Sequence, residues 1–320
     1  MQLSLGHDVQ ARAQAALSRK LAELLRRDSR STSDVRRLDA KGYLTDPVTG
    51  IVPHEEAHVR RIARFNVVET INDKELSRAL DHVAAGAGGE LRAKPSERPK
   101  FLAAYSSAAL ALNCFAPFLR ERRLTLDGQS LTKPRLETIL GIGGRCGRPN
   151  LDLLDPVSEP VLAVESKCTE YLKTKTQLTR SDFAWLKARA VGDPYERRTR
   201  ELAAGQGAIE LHSILTQDAL AFRHLDATQL LKHYLGLRNE FGDRVSTLMY
   251  LYWEPENAAD IDACRRHEDE IARIRLLLTD GSVEFRPLRY SRLWHAWTGE
   301  RSEYLRRHAG ALIERYSLAI

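Results

Sequence analysis

The run Pro160-Val-Leu-Ala-Val-Glu-Ser-Lys167 constrains this chain more than any other stretch of it. Consecutive apolar residues, two of them valine, read as a short strand buried on both faces. Just upstream, residues 150–155 (Asn-Leu-Asp-Leu-Leu-Asp) read as a second strand. Asp155-Pro156 and Ser158-Glu159-Pro160 stand between the two, and such residues punctuate a tight turn. The two strands should therefore form a hairpin that sets Asp152 beside Glu165. Glu165 and Lys167 are two apart on one strand, so both side chains leave the same face. Charged groups that close a buried strand need a partner or a metal.

Two carboxylates and an ammonium converging on one point have definite chemical uses. Asp152, Glu165 and the main-chain carbonyl of Ser166 are hard oxygen ligands, suited to Mg²⁺ or Mn²⁺ held with several waters. Such a metal polarises a phosphodiester and lowers the pKa of a water. Lys167 would position that water or neutralise charge in the transition state. Ser166 points to the opposite face and so offers its carbonyl rather than its hydroxyl. The alternative is plainer: a surface ion pair between Glu165 and Lys167, with Asp152 capping a turn.

Around this hairpin the chain divides at a charged, proline-bearing segment, residues 89–100, which reads as a linker. Before it, residues 1–90 form a helical N-terminal region, with helices expected over 8–28 and within 54–87 and a turn at Asp46-Pro47 with Gly50. After it, residues 101–320 carry an apolar helix over 103–121, then strands over 135–140, 150–155 and 160–167. A polar, mostly helical stretch over 171–224 follows, with a turn at Gly192-Asp193-Pro194, and then a helix over 226–240 and a buried strand over 245–253. A helix over 256–274, a strand over 282–288 and a helix near 300–317 finish the chain. Helices alternating with strands in this order predict an α/β fold, a mixed sheet flanked by helices.

Composition bounds the function. The 49 Lys plus Arg exceed the 43 Asp plus Glu and give a formal net charge of +6, which suits a polyanionic partner such as DNA. The four cysteines include no CxxC pair, which excludes a zinc ribbon and fits reduced thiols. With no signal pattern and no apolar run of membrane-spanning length, a cytoplasmic protein without membrane contact is expected. Residues 141–148, Gly-Ile-Gly-Gly-Arg-Cys-Gly-Arg, carry neither a dinucleotide nor a P-loop pattern. They read as a flexible entry to the hairpin, with Arg145 and Arg148 available for DNA phosphates.

An Asp, a turn and then Glu-x-Lys on the next strand resembles the active site of the PD-(D/E)XK nuclease superfamily, whose fold is restriction-endonuclease-like. Here the first motif reads Pro149-Asn-Leu-Asp152, with two residues between proline and aspartate. More narrowly, residues 106–118, 147–154 with 163–171, and 248–255 resemble a group of bacterial restriction-endonuclease-type proteins. The resemblance covers roughly residues 101–290. It implies a core of helix, three strands, helix, strand, behind the helical N-terminal extension. It implies Mg²⁺-dependent DNA cleavage, in restriction or phage defence, with a homodimer able to cut both strands. Asp152, Glu165 and Lys167 would be catalytic, with Glu137 as an additional acid and Gln229 facing the site from the helix over 226–240. His233, one turn beyond Gln229, could reach phosphate with it. Glu137 and Gln229 could equally be solvent-facing. A nucleic-acid-binding protein of the same fold that does not cut is the second functional expectation.

Overall fold

The computed structural model of the chain describes residues 5–27, 38–86, 89–92, 97–119, 124–144, 146–176 and 194–320. Helices α1 (Leu5–Arg27), α2 (Glu56–Ala63) and α3 (Asp73–Ala85) precede the linker-like segment, and α4 (Ser107–Phe115) follows it. A small hairpin, β1 (Thr125–Leu126) and β2 (Gln129–Ser130), leads to β3 (Arg135–Ile139), β4 (Asn150–Asp155) and β5 (Val161–Lys167). Helices α5 (Pro194–Leu202), α6 (Gln206–Gln217) and α7 (Ala227–Phe241) cross to β6 (Ser246–Tyr252). Then α8 (Asp262–Leu277), β7 (Val283–Arg289), α9 (Tyr290–Thr298) and α10 (Glu303–Tyr316) complete the chain.

The main sheet has the order β3-β4-β5-β6-β7. Its first three strands pair antiparallel and its last three parallel, so the sheet is mixed, as the order of elements predicts. Two-residue alternation divides its side chains between two apolar clusters. On β5, Leu162 and Val164 join Met249 and Leu251 of β6 in a cluster with α4, α9 and α10. Val161 and Ala163 join Leu248 and Tyr250 against α6, α7 and α8. Sheet and helices thus form one layered α/β structure, closed on both faces. Residues on both sides of the 89–100 segment contribute to the first cluster, from Ala13, Leu17 and Leu21 of α1 to Leu312 and Tyr316 of α10.

Local chemistry sets several element ends. Asn72 caps α3 in a reciprocal box with Glu75, Ser106 caps α4, and Asp226 caps α7. The apolar helix expected over 103–121 is only nine residues of α-helix, because Pro117 lacks the N–H that a further turn would use. Two elements escaped the sequence. Asp127 and Gly128, both at positive φ, turn the β1–β2 hairpin, whose strands are too short to show a pattern. Residues 290–298 are rich in aromatics, poor helix formers, yet burial of Tyr290, Trp294 and Trp297 makes them α9.

The turn read at Asp46 exists and is tightly held. Asp46 accepts hydrogen bonds from the N–H groups of Val48 and Thr49 at 2.9 Å, and its Oδ2 lies 2.6 Å from His58 Nε2 and 3.0 Å from Arg61 Nη2. The Thr49 N–H, followed by His58, holds this carboxyl well below the usual range. A depressed pKa stabilises the folded state above the unfolded carboxylate pKa, about 4, and that contribution disappears as pH falls through the folded value. Asp46→Asn should therefore lower the melting temperature at pH 7, and the gap from wild type should narrow in melts run below pH 4.

Candidate active site

Strand register carries three carboxylates into one row of the sheet. β4 and β5 pair Leu153 with Val164 and Asp155 with Leu162, and one further step of that register sets Asp152 opposite Glu165. β3 pairs Leu136 with Leu153 and Thr138 with Leu151, so Glu137 falls opposite Asp152. On its other side Glu165 pairs with Tyr250 of β6. Glu137 adopts φ 51, a left-handed conformation uncommon for a residue with a side chain. Gly86 leaves room for it, since a Cβ there would lie 2.5 Å from Glu137 Cβ.

Alternation along β5 does the rest. Glu165 and Lys167 share the face toward α7, and the Lys167 ammonium donates to Glu165 Oε1. It also donates to Gln229 Oε1 at 3.0 Å. His233, on the same face of α7, brings Nε2 to 2.9 Å from Glu165 Oε2. Those two atoms are close without the alignment of a hydrogen bond, and among the described residues neither has another partner. Ser166 faces the opposite way, its Oγ 2.7 Å from Tyr290 Oη, while its N–H donates to Asp152 Oδ2 at 2.7 Å. The structure therefore brings Asp152, Glu165, Lys167, Glu137 and Gln229 to one place, with the Ser166 backbone between the first two.

Crowding of like charge governs the electrostatics. Burial, then the charges of Glu165 and Glu137, pushes Asp152 well above the ordinary carboxylate range. Burial, then Glu90, lifts Glu137 to about 7. Burial also opposes ionised Glu165, but Lys167 and His233 outweigh it and hold that carboxyl below its usual value. The Lys167 ammonium is disfavoured by burial, yet Glu165, Glu170 and Asp152 together keep it firmly charged. Several acids thus face one ammonium, an excess of negative charge that a divalent cation would relieve.

Among the described residues, no three His, Cys, Asp or Glu side chains form a ready-made metal cage. The donors nonetheless fit a hard divalent ion. Among the described residues Glu165 Oε2 is buried without a hydrogen-bond donor, Asp152 lies across from it, and such ions need only one or two carboxylates beside water.

Two further residues belong to this surrounding. Asn150, one of the residues interposed in the Pro-Asn-Leu-Asp motif, donates its amide to Glu137 Oε2. Glu90 lies close enough to raise Glu137, and its own carboxyl is raised by burial, partly offset by Lys100. It sits in the segment read as a linker, where nothing local marks a glutamate as part of a site. Glu170 is exposed and accepts from the Cys168 N–H at 2.7 Å.

Arg148 is exposed on the loop entering β4. That loop is pinned by Arg198, whose Nε donates to Ile142 O at 2.8 Å, and by Tyr195, whose hydroxyl accepts from Gly147 N at 2.7 Å. Arg145, the basic run at 120–123 and most of the turn at 192–194 lie outside the described residues. Trp294 and Trp297 are core residues. Among the described residues no helix is long and apolar enough to cross a membrane.

Residues 53–317 match the family described as Restriction Endonuclease associating with ARP. No curated protein and no solved structure matches the chain. The match takes in the sheet, α7 and all of the residues assembled above, and the chain belongs to that restriction-endonuclease family.

Proposed function

We propose that this member of a restriction-endonuclease family is a metal-dependent DNA endonuclease of the PD-(D/E)XK type, with its reaction centre at Asp152, Glu165 and Lys167. The observation that carries the reading is the convergence of those three side chains from adjacent strands, with Gln229 holding the Lys167 ammonium. Asp152, Glu165 and the Ser166 carbonyl would hold Mg²⁺ or Mn²⁺. Bound there, the ion would supply Lewis-acid polarisation of the scissile phosphodiester and acidify a nearby water.

The chain's own groups account for the remaining requirements of hydrolysis. Water oxygen attacks phosphorus, the bond from phosphorus to the leaving sugar oxygen breaks, and negative charge builds on the phosphoryl oxygens. Lys167, fixed on one side by Glu165 and on the other by Gln229, presents a cation to that charge from a preorganised position. Glu137, lifted to about 7, is a carboxyl poised to exchange a proton near neutral pH. Arg148 offers an exposed cation for the DNA backbone. Restriction or defence against phage DNA in the cytoplasm is the setting this reading supports, and a homodimer would let both strands be cut.

Plasmid cleavage tests the proposal. Wild type with Mg²⁺ or Mn²⁺ should nick or linearise supercoiled DNA, and EDTA should stop it. Asp152→Asn should lower the rate by at least a hundredfold, on the scale of removing one group that acts on the transition state. Metal-independent DNA binding, with no cutting and no effect of that substitution, would instead favour a binding module that keeps the fold without the chemistry.

A further inference from the structure

We infer that His233 is a positioning residue for Glu165, acting from inside the protein and never reaching the nucleic acid. The inference rests on the nuclease reading and adds to it a residue whose role is to fix the metal-holding carboxylate.

The geometry is specific. His233 is fully buried, 0% exposed, and Glu165 is 1% exposed. Lys167 takes one carboxylate oxygen, Oε1, and His233 Nε2 stands 2.9 Å from the other. Among the described residues neither imidazole nitrogen has a hydrogen-bond partner, and neither has Oε2. Oε2 and Nε2 therefore stand opposite one another with no competing hydrogen bond among the described residues, and an oxygen that accepts one N–H keeps a lone pair for a metal. Leu230, Leu231 and Leu235 around it on α7 are buried and apolar, and the nearby polar side chains of the helix are engaged elsewhere, Gln229 on Lys167, Lys232 over the Tyr195 ring and Tyr234 on Asp280.

This placement separates His233 from Gln229, its neighbour one turn earlier. Gln229 is half-buried and grips Lys167, whereas His233 lies behind Glu165. One helix thus secures both charged residues of the Glu-Ser-Lys strand end. The terminal torsion of a glutamate is broad and weakly staggered, so a carboxylate held at one oxygen can still swing. Held at both, its remaining lone pairs keep a fixed direction. Partners that orient a ligand in this way typically contribute ten- to a hundredfold in metal affinity or activity.

The test compares wild type with His233→Leu and His233→Gln. Leucine fills the volume without a donor, while glutamine returns an N–H at similar reach. Mn²⁺ affinity is measured by calorimetry without DNA, plasmid cleavage gives kcat and KM, and melting temperature reports the fold. The leucine variant should bind Mn²⁺ ten- to a hundredfold more weakly and lose kcat with KM for DNA nearly unchanged, and the glutamine variant should recover both to within a few fold. The inference is overturned if the leucine variant binds and cuts like wild type. It is equally overturned if both variants lose affinity together with melting temperature, which would mark His233 as packing alone. Failure of wild type itself to bind Mn²⁺ or cut would overturn the nuclease reading, and this inference with it.

Discussion

Lys167→Ala is expected to slow DNA cleavage in Mg²⁺ by on the order of a thousandfold, with DNA binding little changed. The reason lies in how the ammonium is held. It is 16% exposed at the end of β5, donates to Glu165 and Gln229, and is kept charged by the surrounding carboxylates. On the proposed mechanism a cation fixed before the reaction needs no reorganisation as charge builds on phosphate, so its loss should be felt in the rate rather than in binding. Truncation at a strand end opens no large core cavity. It does leave Glu165 with only His233, so the variant should melt lower than wild type in EDTA and regain stability when Mg²⁺ is added. Single-turnover cleavage and thermal melts on the same preparations check both statements. A Lys167→Ala enzyme that cuts within a few fold of wild type would remove this residue from the chemistry.

The second large effect concerns the fold rather than the site. Asn113, fully buried on α4, accepts from the Val68 N–H at 2.8 Å and donates to the Asn66 carbonyl at 2.9 Å and to Tyr316 Oη at 2.8 Å. Asn66 in turn donates to the carbonyls of Phe101 and Ala103 and accepts from Arg315, itself buried. One amide thus satisfies two main-chain groups in an irregular segment that no helix or strand can serve. Asn113→Ala strands a buried N–H and a buried carbonyl, each costing about 1–3 kcal/mol. A total loss of about 3 kcal/mol is expected, or roughly 6 °C in melting temperature for a chain of this size. Denaturant unfolding should show it, and a change below about 1 kcal/mol would mean that the network repairs itself without the amide.

These two residues divide sharply in how visible they were beforehand. Lys167 could be placed from the sequence, because an apolar strand ending in Glu-Ser-Lys, behind a turn and an Asp-bearing strand, has few ways to fold. Two-residue alternation fixes which side chains share a face, and the hairpin fixes which strand lies alongside. Asn113 is one polar residue in an apolar run, and its partners, some fifty and two hundred positions away, leave no mark in that run.

The site shows the same division. Asp152, Glu165 and Lys167 are within one hairpin, where local pattern and turn chemistry suffice to set them together. Gln229 could be placed on a helix, but its contact with Lys167 depends on how α7 crosses the sheet. Nothing local distinguished Glu90, which lies in a charged segment that reads as a linker. It reaches the acids only because the chain on either side of it packs into a common core. Likewise α9 is helical because burial of its aromatics overrides their weak preference for helix.

By itself, then, the sequence determined the strand hairpin, the shared face of Glu165 and Lys167, and the mixed α/β order of elements, since all three follow from periods and turns only a few residues long. The tertiary structure alone decided which distant groups close around them: Gln229 on Lys167, His233 behind Glu165, and the Glu90 charge that raises Glu137. Those contacts depend on the packing of whole helices against the sheet, and that is set by the sum of many buried surfaces rather than by any short run of residues.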